Sequence, residues 1–409
     1  MKGAHSPQKR IAIIWTKFLP YHVARIRHLR KRLQAVNCRL TAIEMASKDA
    51  LYPFPASAKE SELDYVCLFS GKSYRALAAS TIHAAALRVL EEIRPDVVIA
   101  PSTPFPSGMA AIKYCLENDK LSVMMDDAWE FSDKRGFVIS LVKKIIHSNI
   151  DVAFVPAPSY ASYYIKKGFP ADRIVYGVDV VDNDFFNGGA AKARKHAQKL
   201  RKELGVPERY FLFVGRFIKR KGIATLLEAY RRYAEANPGE PWGMVLVGEG
   251  DELEMHKKNM EKYPAVKFVG SQFGDNLCAY YGLANAFILP SEVETWGLVV
   301  NEAMASHLPL LVSSGCGSGR TLIENGSNGW MFEPGNANEL SNLMSRLAQL
   351  PPAQLKEMAA HSAEIIGHWS LDTFADSVIR ASQFSRRQRG GALANFLTKS
   401  WTGRISFYP

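Results

Sequence analysis

Short apolar runs recur along the chain, each followed by a longer stretch with helical spacing. In the first half the runs are Ile11–Trp15, Leu40–Glu44, Val97–Ala100, Ser122–Met125 and Ala153–Val155. Continuous apolar runs of this length read as strands buried on both faces of a parallel sheet. Helical patterns lie between them at His22–Val36, Tyr74–Glu92, Ser107–Asn118 and Ser159–Lys167. Strand then helix, repeated, predicts a doubly wound α/β domain.

The rhythm lapses around Asp179–Asn187, and the polar, basic stretch from Gly188 to Lys202 predicts a linker. It then restarts, with strands expected at Tyr210–Val214, Gly243–Val247, Val266–Val269, Ala286–Leu289 and Leu308–Val312. Helices are expected at Thr225–Ala236, Asp251–Glu261, Leu277–Leu283, Val299–Ser306 and Asn338–Gln349. The predicted organisation is a first domain over 1–187, a linker over 188–205 and a second domain over 206–370. A C-terminal helix packing back on the first domain, with a basic tail, would fill 371–409. Two such Rossmann-like domains would face each other across a cleft, where ligands of this architecture bind.

The bulk numbers agree with two domains, since 409 residues exceed one ordinary core. Apolar residues at 47% and charged residues at 22% describe a globular chain. Cys38, Cys67, Cys115, Cys278 and Cys316 lack metal-ligand spacing and read as reduced thiols of a cytoplasmic protein. Basic residues precede the first apolar run, but Lys17 interrupts it too early for a secretory signal. No stretch approaches the apolar length of a membrane span, so a cytoplasmic location is expected.

Lys and Arg number 51 against 40 Asp and Glu, and Arg25, Arg27, Arg30, Lys31 and Arg32 cluster before the first acidic residue, Glu44. A phosphorylated substrate, a nucleic acid, a solvated helix face or an anionic membrane surface would each account for that cluster. Peripheral attachment at the inner face of the cell membrane is therefore compatible with it. From Ser385 the chain is basic again, through Arg386, Arg387 and Arg389, and reads as a frayed terminus, with a surface contact as the alternative.

Chemistry concentrates in the second half. In VGRFIKRKG, Val214 to Gly222, a strand ends at Gly215 and a helix follows. Arg216 offers a planar fork matched to phosphate oxygens, and Lys221 a movable point charge. A diphosphate leaving group gains charge as its substituent departs, so two aimed cations would stabilise the transition state. An ordinary turn with solvent-facing basic residues would look the same. In LPSEVETWGLVVNEAMA, Leu289 to Ala305, Gly297 permits close approach, and the amides of Leu298 and Val299 at a helix start form an anion site. Glu294 and Glu302 bracket that turn; Glu294 could accept from sugar hydroxyls and Glu302 from a ribose. Glu302 could equally be a first-turn carboxylate favoured by the helix dipole.

The segment from Val214 to about Gly335 resembles the retaining glycosyltransferase family 4, of GT-B fold. VGRFIKRKG is followed by LVGEGDE at Leu246–Glu252 and FVGSQF at Phe268–Phe273. FILPSEVETWGLVVNEAMA and SSGCGSGRTLIENGSNGWMFEPGN complete the order. The resemblance implies that Arg216 and Lys221 bind the donor diphosphate, with Gly215 at the turn. It implies that Glu294 contacts the transferred sugar, that the amides after Gly297 hold the β-phosphate and that Glu302 holds the ribose. Loops at Val247–Gly250, which include Gly248 and Glu249, and at Ser271–Phe273 would flank the base. Trp296 replaces the phenylalanine more usual before that glycine. The implied donor is a UDP- or GDP-linked sugar, with no metal and no other cofactor, and attack on the same face as the leaving phosphate.

The first half is less specific. WTKFLPYHVARIRHL, Trp15 to Leu29, stands where similar enzymes seat the acceptor, but the usual glycine pair is missing. His22 opens that helix and is either catalytic or, more commonly for such a position, a cap. MMDDAWEF, Met124 to Phe131, offers Asp126 and Asp127 where many family members carry a functional histidine. With the segment after it, this motif resembles a subgroup from bacterial surface-polysaccharide clusters. Two adjacent carboxylates specify a cation loosely, and cationic side chains already answer the diphosphate, so no metal site is expected. A sugar-nucleotide epimerase of the same fold and a basic nucleotide or nucleic-acid binder are the alternative readings, although no nucleic-acid module is visible. A dinucleotide dehydrogenase is disfavoured because neither domain opens with G-x-G-x-x-G. The acceptor would be a glycan or a lipid-linked molecule.

Overall fold

A computed structural model describes residues 8–48, 63–130, 136–239 and 241–404. The start of the basic N-terminal segment before position 8, Phe131 and the last five positions of the tail lie outside the described residues. The chain forms two compact units, one of Met1–Val180 with Leu371–Pro409 and one of Val181–Ser370.

The first unit runs β1 (Lys9–Trp15), α1 (Pro20–Gln34), β2 (Cys38–Lys48), β3 (Tyr65–Ser73), α2 (Ala79–Ile93), β4 (Val97–Pro101) and α3 (Pro106–Glu117). It continues with β5 (Leu121–Met125), α4 (Phe137–His147), β6 (Val152–Val155), α5 (Ala161–Lys166) and β7 (Ile174–Tyr176). The strands pair in the order β3-β2-β1-β4-β5-β6-β7, all parallel. Ala12 and Ile14 of β1 enter one core with Met45, Ala86, Leu90 and Tyr114, as the apolar run requires. The pattern of apolar runs misses β3 and β7. Both are edge strands, and β3 is half-exposed along most of its length, so neither needs a continuous apolar run.

The second unit opens with α6 (Asn183–Lys195) and α7 (Ala197–Leu204). Then come β8 (Tyr210–Val214), α8 (Ile223–Ala236), β9 (Gly243–Val247), α9 (Leu253–Asn259), β10 (Val266–Phe268), α10 (Gly274–Leu283) and β11 (Ala286–Leu289). It closes with α11 (Leu298–Ala305), β12 (Leu310–Ser313), α12 (Gly317–Leu322), β13 (Gly329–Phe332), α13 (Ala337–Ala348) and α14 (Pro352–Gly367). Its strand order is β10-β9-β8-β11-β12-β13, again parallel.

The stretch expected as a linker is helical, which corrects the 188–205 boundary. Asp182 caps α6 by accepting from the Phe185 amide at 3.0 Å, and Phe186, Ala190 and Ala193 form its buried stripe. Gly189 is there for packing: a β-carbon would lie 2.6 Å from Cβ of Cys278 in α10. The first segment accordingly ends at Val180, ahead of the expected 187.

The C-terminal segment returns to the first unit as α15 (Leu371–Gln383) and α16 (Ala392–Ser400). Phe374 is fully buried, with its ring 6.4 Å from Trp15 and 5.4 Å from Phe154. The basic tail is anchored through position 404, not frayed. Arg387 donates its amide to Asp151 at 2.7 Å, and Arg389 donates to the carbonyls of Asn149 at 3.0 Å and Lys120 at 2.9 Å. Arg386 pairs with Asp119. All five cysteines are free thiols. No described helix is long and apolar enough to cross a membrane.

Candidate active site

In the second sheet β8 comes first in the chain yet lies between β9 and β11. The carboxyl edge at such a reversal of strand order is where ligands of open α/β sheets bind. The loops after β8 and β11 interlock there. Glu292 donates its amide to the Arg220 carbonyl at 2.8 Å. Gly222 has φ of 67° and sits so close to Pro290 that a β-carbon would lie 2.2 Å from the proline carbonyl oxygen.

This interlock brings Lys221 and Glu294 together. Lys221, buried in the turn Lys219–Lys221, pairs its Nζ directly with Oε2 of Glu294. Ser291 Oγ donates to the same carboxylate oxygen at 3.4 Å. The Glu294 backbone is held on both sides: its amide donates to Gly315 at 3.0 Å, and the Gly317 amide donates to its carbonyl at 3.1 Å. Burial alone would raise the Glu294 pKa, but the Lys221 charge and hydrogen bond outweigh it and hold the carboxyl below the ordinary glutamate value.

Gly297, at φ of 98°, then turns the chain into α11. A β-carbon there would crowd Cys316 Sγ at 3.0 Å and Glu294 Cγ at 3.3 Å, so glycine suits both the backbone and the space. Leu298 and Val299 are the first helical residues, and first-turn amides have no intrahelical acceptor. Trp296 is buried and donates its indole N–H to Asn301 Oδ1 at 2.9 Å, which accommodates the larger ring in this loop.

Arg216 leaves the end of β8 beside the β9 loop. The Gly215 amide donates to Val247 at 3.0 Å and the Phe217 amide to Glu249 at 2.8 Å. Gly248 has no room for a side chain: a β-carbon would lie 1.9 Å from the Gly215 carbonyl oxygen. Glu249 in turn accepts from the Ser271 amide at 3.4 Å. Gly215, Arg216, Gly248, Glu249 and Ser271 therefore line neighbouring loops on the carboxyl edge of β8, β9 and β10. Glu302, partly buried in α11, accepts from the Tyr281 hydroxyl at 2.8 Å. Burial pushes its pKa up to about 7, with the Tyr281 hydrogen bond pulling the other way.

The first unit places its candidates on the carboxyl edge of its own sheet. His22 acts as a cap: its Nδ1 accepts from the Leu19 amide at 3.1 Å while its ring stacks on Trp15 at 4.7 Å. Burial, with Arg25 nearby, holds its pKa well below the usual histidine value. Asp126 continues β5, its amide donating to Phe154 at 3.2 Å. Among the described residues no group of three or more His, Cys, Asp or Glu is placed to hold a metal ion.

Sequence reasoning missed the burial of Arg25 on α1. It is 2% exposed and donates from Nε and Nη2 to the Val180 carbonyl at 3.0 and 2.7 Å, with Asp179 Oδ1 at 3.7 Å. Its position on the His22, Ile26, Leu29 face of α1 was the available signal. Other members of the basic cluster are also engaged: Arg30 donates to the Asp64 carbonyl, and Arg32 pairs with Asp372 and Asp376.

Residues 196–364 match the family model described as glycosyl transferases group 1. Sulfoquinovosyl transferase SQD2 of Arabidopsis thaliana is 30% identical over 200 residues, which are 48% of this chain and 37% of that protein. The chain spans about half or less of the length of the first curated relatives it matches. A solved glycosyltransferase from Rickettsia africae superposes with a TM-score of 0.71 at 15% identity, covering 92% of this chain and 98% of that one. Anabaena Alr3699/HepE, solved in complex with UDP, superposes at 0.68 and 16% identity, covering 91% and 98%. The likeness carries the fold, two Rossmann-like parallel-sheet domains of the GT-B class.

Proposed function

We propose that the chain moves a sugar from a nucleotide diphosphate donor to a glycan or lipid-linked acceptor, with retention and without a metal. The observation that carries this reading is the Lys221–Glu294 pair beside Gly297 and the start of α11, at the strand-order reversal of the second sheet. Lys221 and Arg216 answer the diphosphate charge as it grows on the leaving group, and the first amides of α11 take a phosphate oxygen. Glu294, kept ionised, accepts from hydroxyls of the transferred sugar. Glu302 accepts from the ribose. The group 1 match over 196–364 and a UDP-bound neighbour of the same fold support the assignment. Synthesis of a bacterial surface polysaccharide is the setting we propose, from the resemblance of the segment after β5.

A panel of UDP- and GDP-sugars tests this reading, incubated with and without glycan and lipid-linked acceptors. We expect one donor to be consumed in an acceptor-dependent way. Consumption that needs no acceptor would indicate an epimerase; stabilisation by oligonucleotides but by no sugar nucleotide would indicate a nucleic-acid binder. Donor binding should weaken as pH falls through about 7, because Glu302 then takes up a proton and loses acceptor capacity.

A further inference from the structure

Nine large apolar side chains stand exposed among the described residues, and five of them fall on α4 and α16: Val138, Ile139, Leu141, Leu393 and Phe396. These two helices pack against each other in the first unit. On α16 the buried residues are Ala394 and Thr398, which leaves Leu393 and Phe396 on the outward face, with Phe396 65% exposed. On α4 the buried residues among those described, Ile146 and His147, lie at the C-terminal end, and Val138 is 71% exposed. An apolar stripe turned outward on a firmly held helix is the reverse of what a core needs. The helix is firmly held. Asn149 Nδ2 donates to Thr398 Oγ1 at 3.0 Å, and the Gly390 amide donates to Asn149 Oδ1 at 2.8 Å.

The charges carried by these two helices have one sign. Lys143 and Lys144 lie on α4 and Lys399 on α16, and neither helix contains an acidic residue. Lys399 has Glu117 3.8 Å away, across an exposed pair. No acidic residue follows Asp376 in the chain. Beyond α16, Trp401 is half-buried with the Arg404 guanidinium 5.4 Å from its ring, an aromatic and cationic pairing suited to a headgroup region.

We propose that the α4–α16 face docks on an anionic lipid bilayer, with the apolar side chains entering the interface and the lysines meeting headgroups. Amphipathic helices with lysine beside apolar side chains bind membranes in this manner. A second copy of the chain fits less well, because it would set lysines against lysines. The α1 cluster is a weaker candidate surface, since Arg25, Arg30 and Arg32 are engaged within the first unit. The proposal does not depend on the donor site.

Flotation of the full chain with phosphatidylcholine vesicles, with and without phosphatidylglycerol, tests it. We expect binding only to the anionic vesicles. The double variant Leu393→Glu/Phe396→Glu should bind at least about tenfold more weakly, the effect of two large apolar side chains kept from burial. Lys143→Gln/Lys144→Gln should also lose about fivefold for each charge removed. Lys31→Gln on α1 should bind like the unchanged chain, and all three should keep its melting temperature. Equal binding to both vesicle types, or unchanged binding by both double variants, would overturn the proposal. So would a dimer in sedimentation velocity that Leu393→Glu/Phe396→Glu dissociates while neither vesicle type is bound.

Discussion

Replacing Lys221 by alanine is expected to lower turnover by about 10²–10³, the effect of removing one preorganised charge-stabilising group. The geometry adds a second consequence. Lys221 and Glu294 are both largely buried, and deleting one partner of a buried ion pair destabilises a protein by about 3–5 kcal/mol because the other charge is left without compensation. Loss of activity in Lys221→Ala could therefore reflect partial unfolding. The double variant Lys221→Ala/Glu294→Gln isolates the stability effect, since a neutral amide needs no counter-charge. Its melting temperature should recover most of the single variant's deficit while turnover stays low. A folded Lys221→Ala enzyme with near-normal turnover would remove the diphosphate role of this lysine.

The second large effect is expected in the first unit. Arg25→Ala should destabilise the chain by about 3–5 kcal/mol, again by leaving buried groups without their partner. The Val180 carbonyl loses both of its guanidinium donors, and Asp179 loses the cation that offsets its burial. Burial, with Asp126 nearby, already pushes the Asp179 pKa up to about 6 despite Arg25. A carboxyl whose pKa is raised on folding holds its proton more tightly in the native state, so its contribution to stability declines as pH rises from about 4 through 6. Without Arg25 the native pKa rises further and the decline extends to higher pH. The melting-temperature deficit of Arg25→Ala should therefore be larger at pH 8 than at pH 5. A deficit independent of pH would mean that Asp179 does not sense this arginine.

The loops that form the candidate site were legible because their chemistry is local. Gly215, Lys221 and Gly297 each stand within two residues of a strand end or a helix start, Glu294 lies in the loop between β11 and α11, and the apolar runs mark those boundaries. Once β8 and β11 are neighbours, the two loops must meet. What was hidden depends on distant partners. Gly188 and Gly189 read as linker residues because nothing nearby reveals that α10 presses against α6. Arg386, Arg387 and Arg389 read as a frayed tail because their partners lie more than two hundred residues earlier. Arg25 looked like one surface charge among five, although its helical position falls on the buried stripe of α1. Edge strands β3 and β7 escaped for the opposite reason: half-exposed or very short segments carry little pattern.

The central claim is that the second unit gathers Lys221, Arg216 and the first amides of α11 around a pyrophosphate. Calorimetric titration of the whole chain with UDP- and GDP-sugars, and then with the matching nucleosides, measures this most directly. Loss of several charge-assisted hydrogen bonds should make the nucleoside roughly 100-fold weaker than its sugar diphosphate, or more. If no sugar nucleotide binds, or if the bare nucleoside binds as tightly as its diphosphate form, the claim is contradicted.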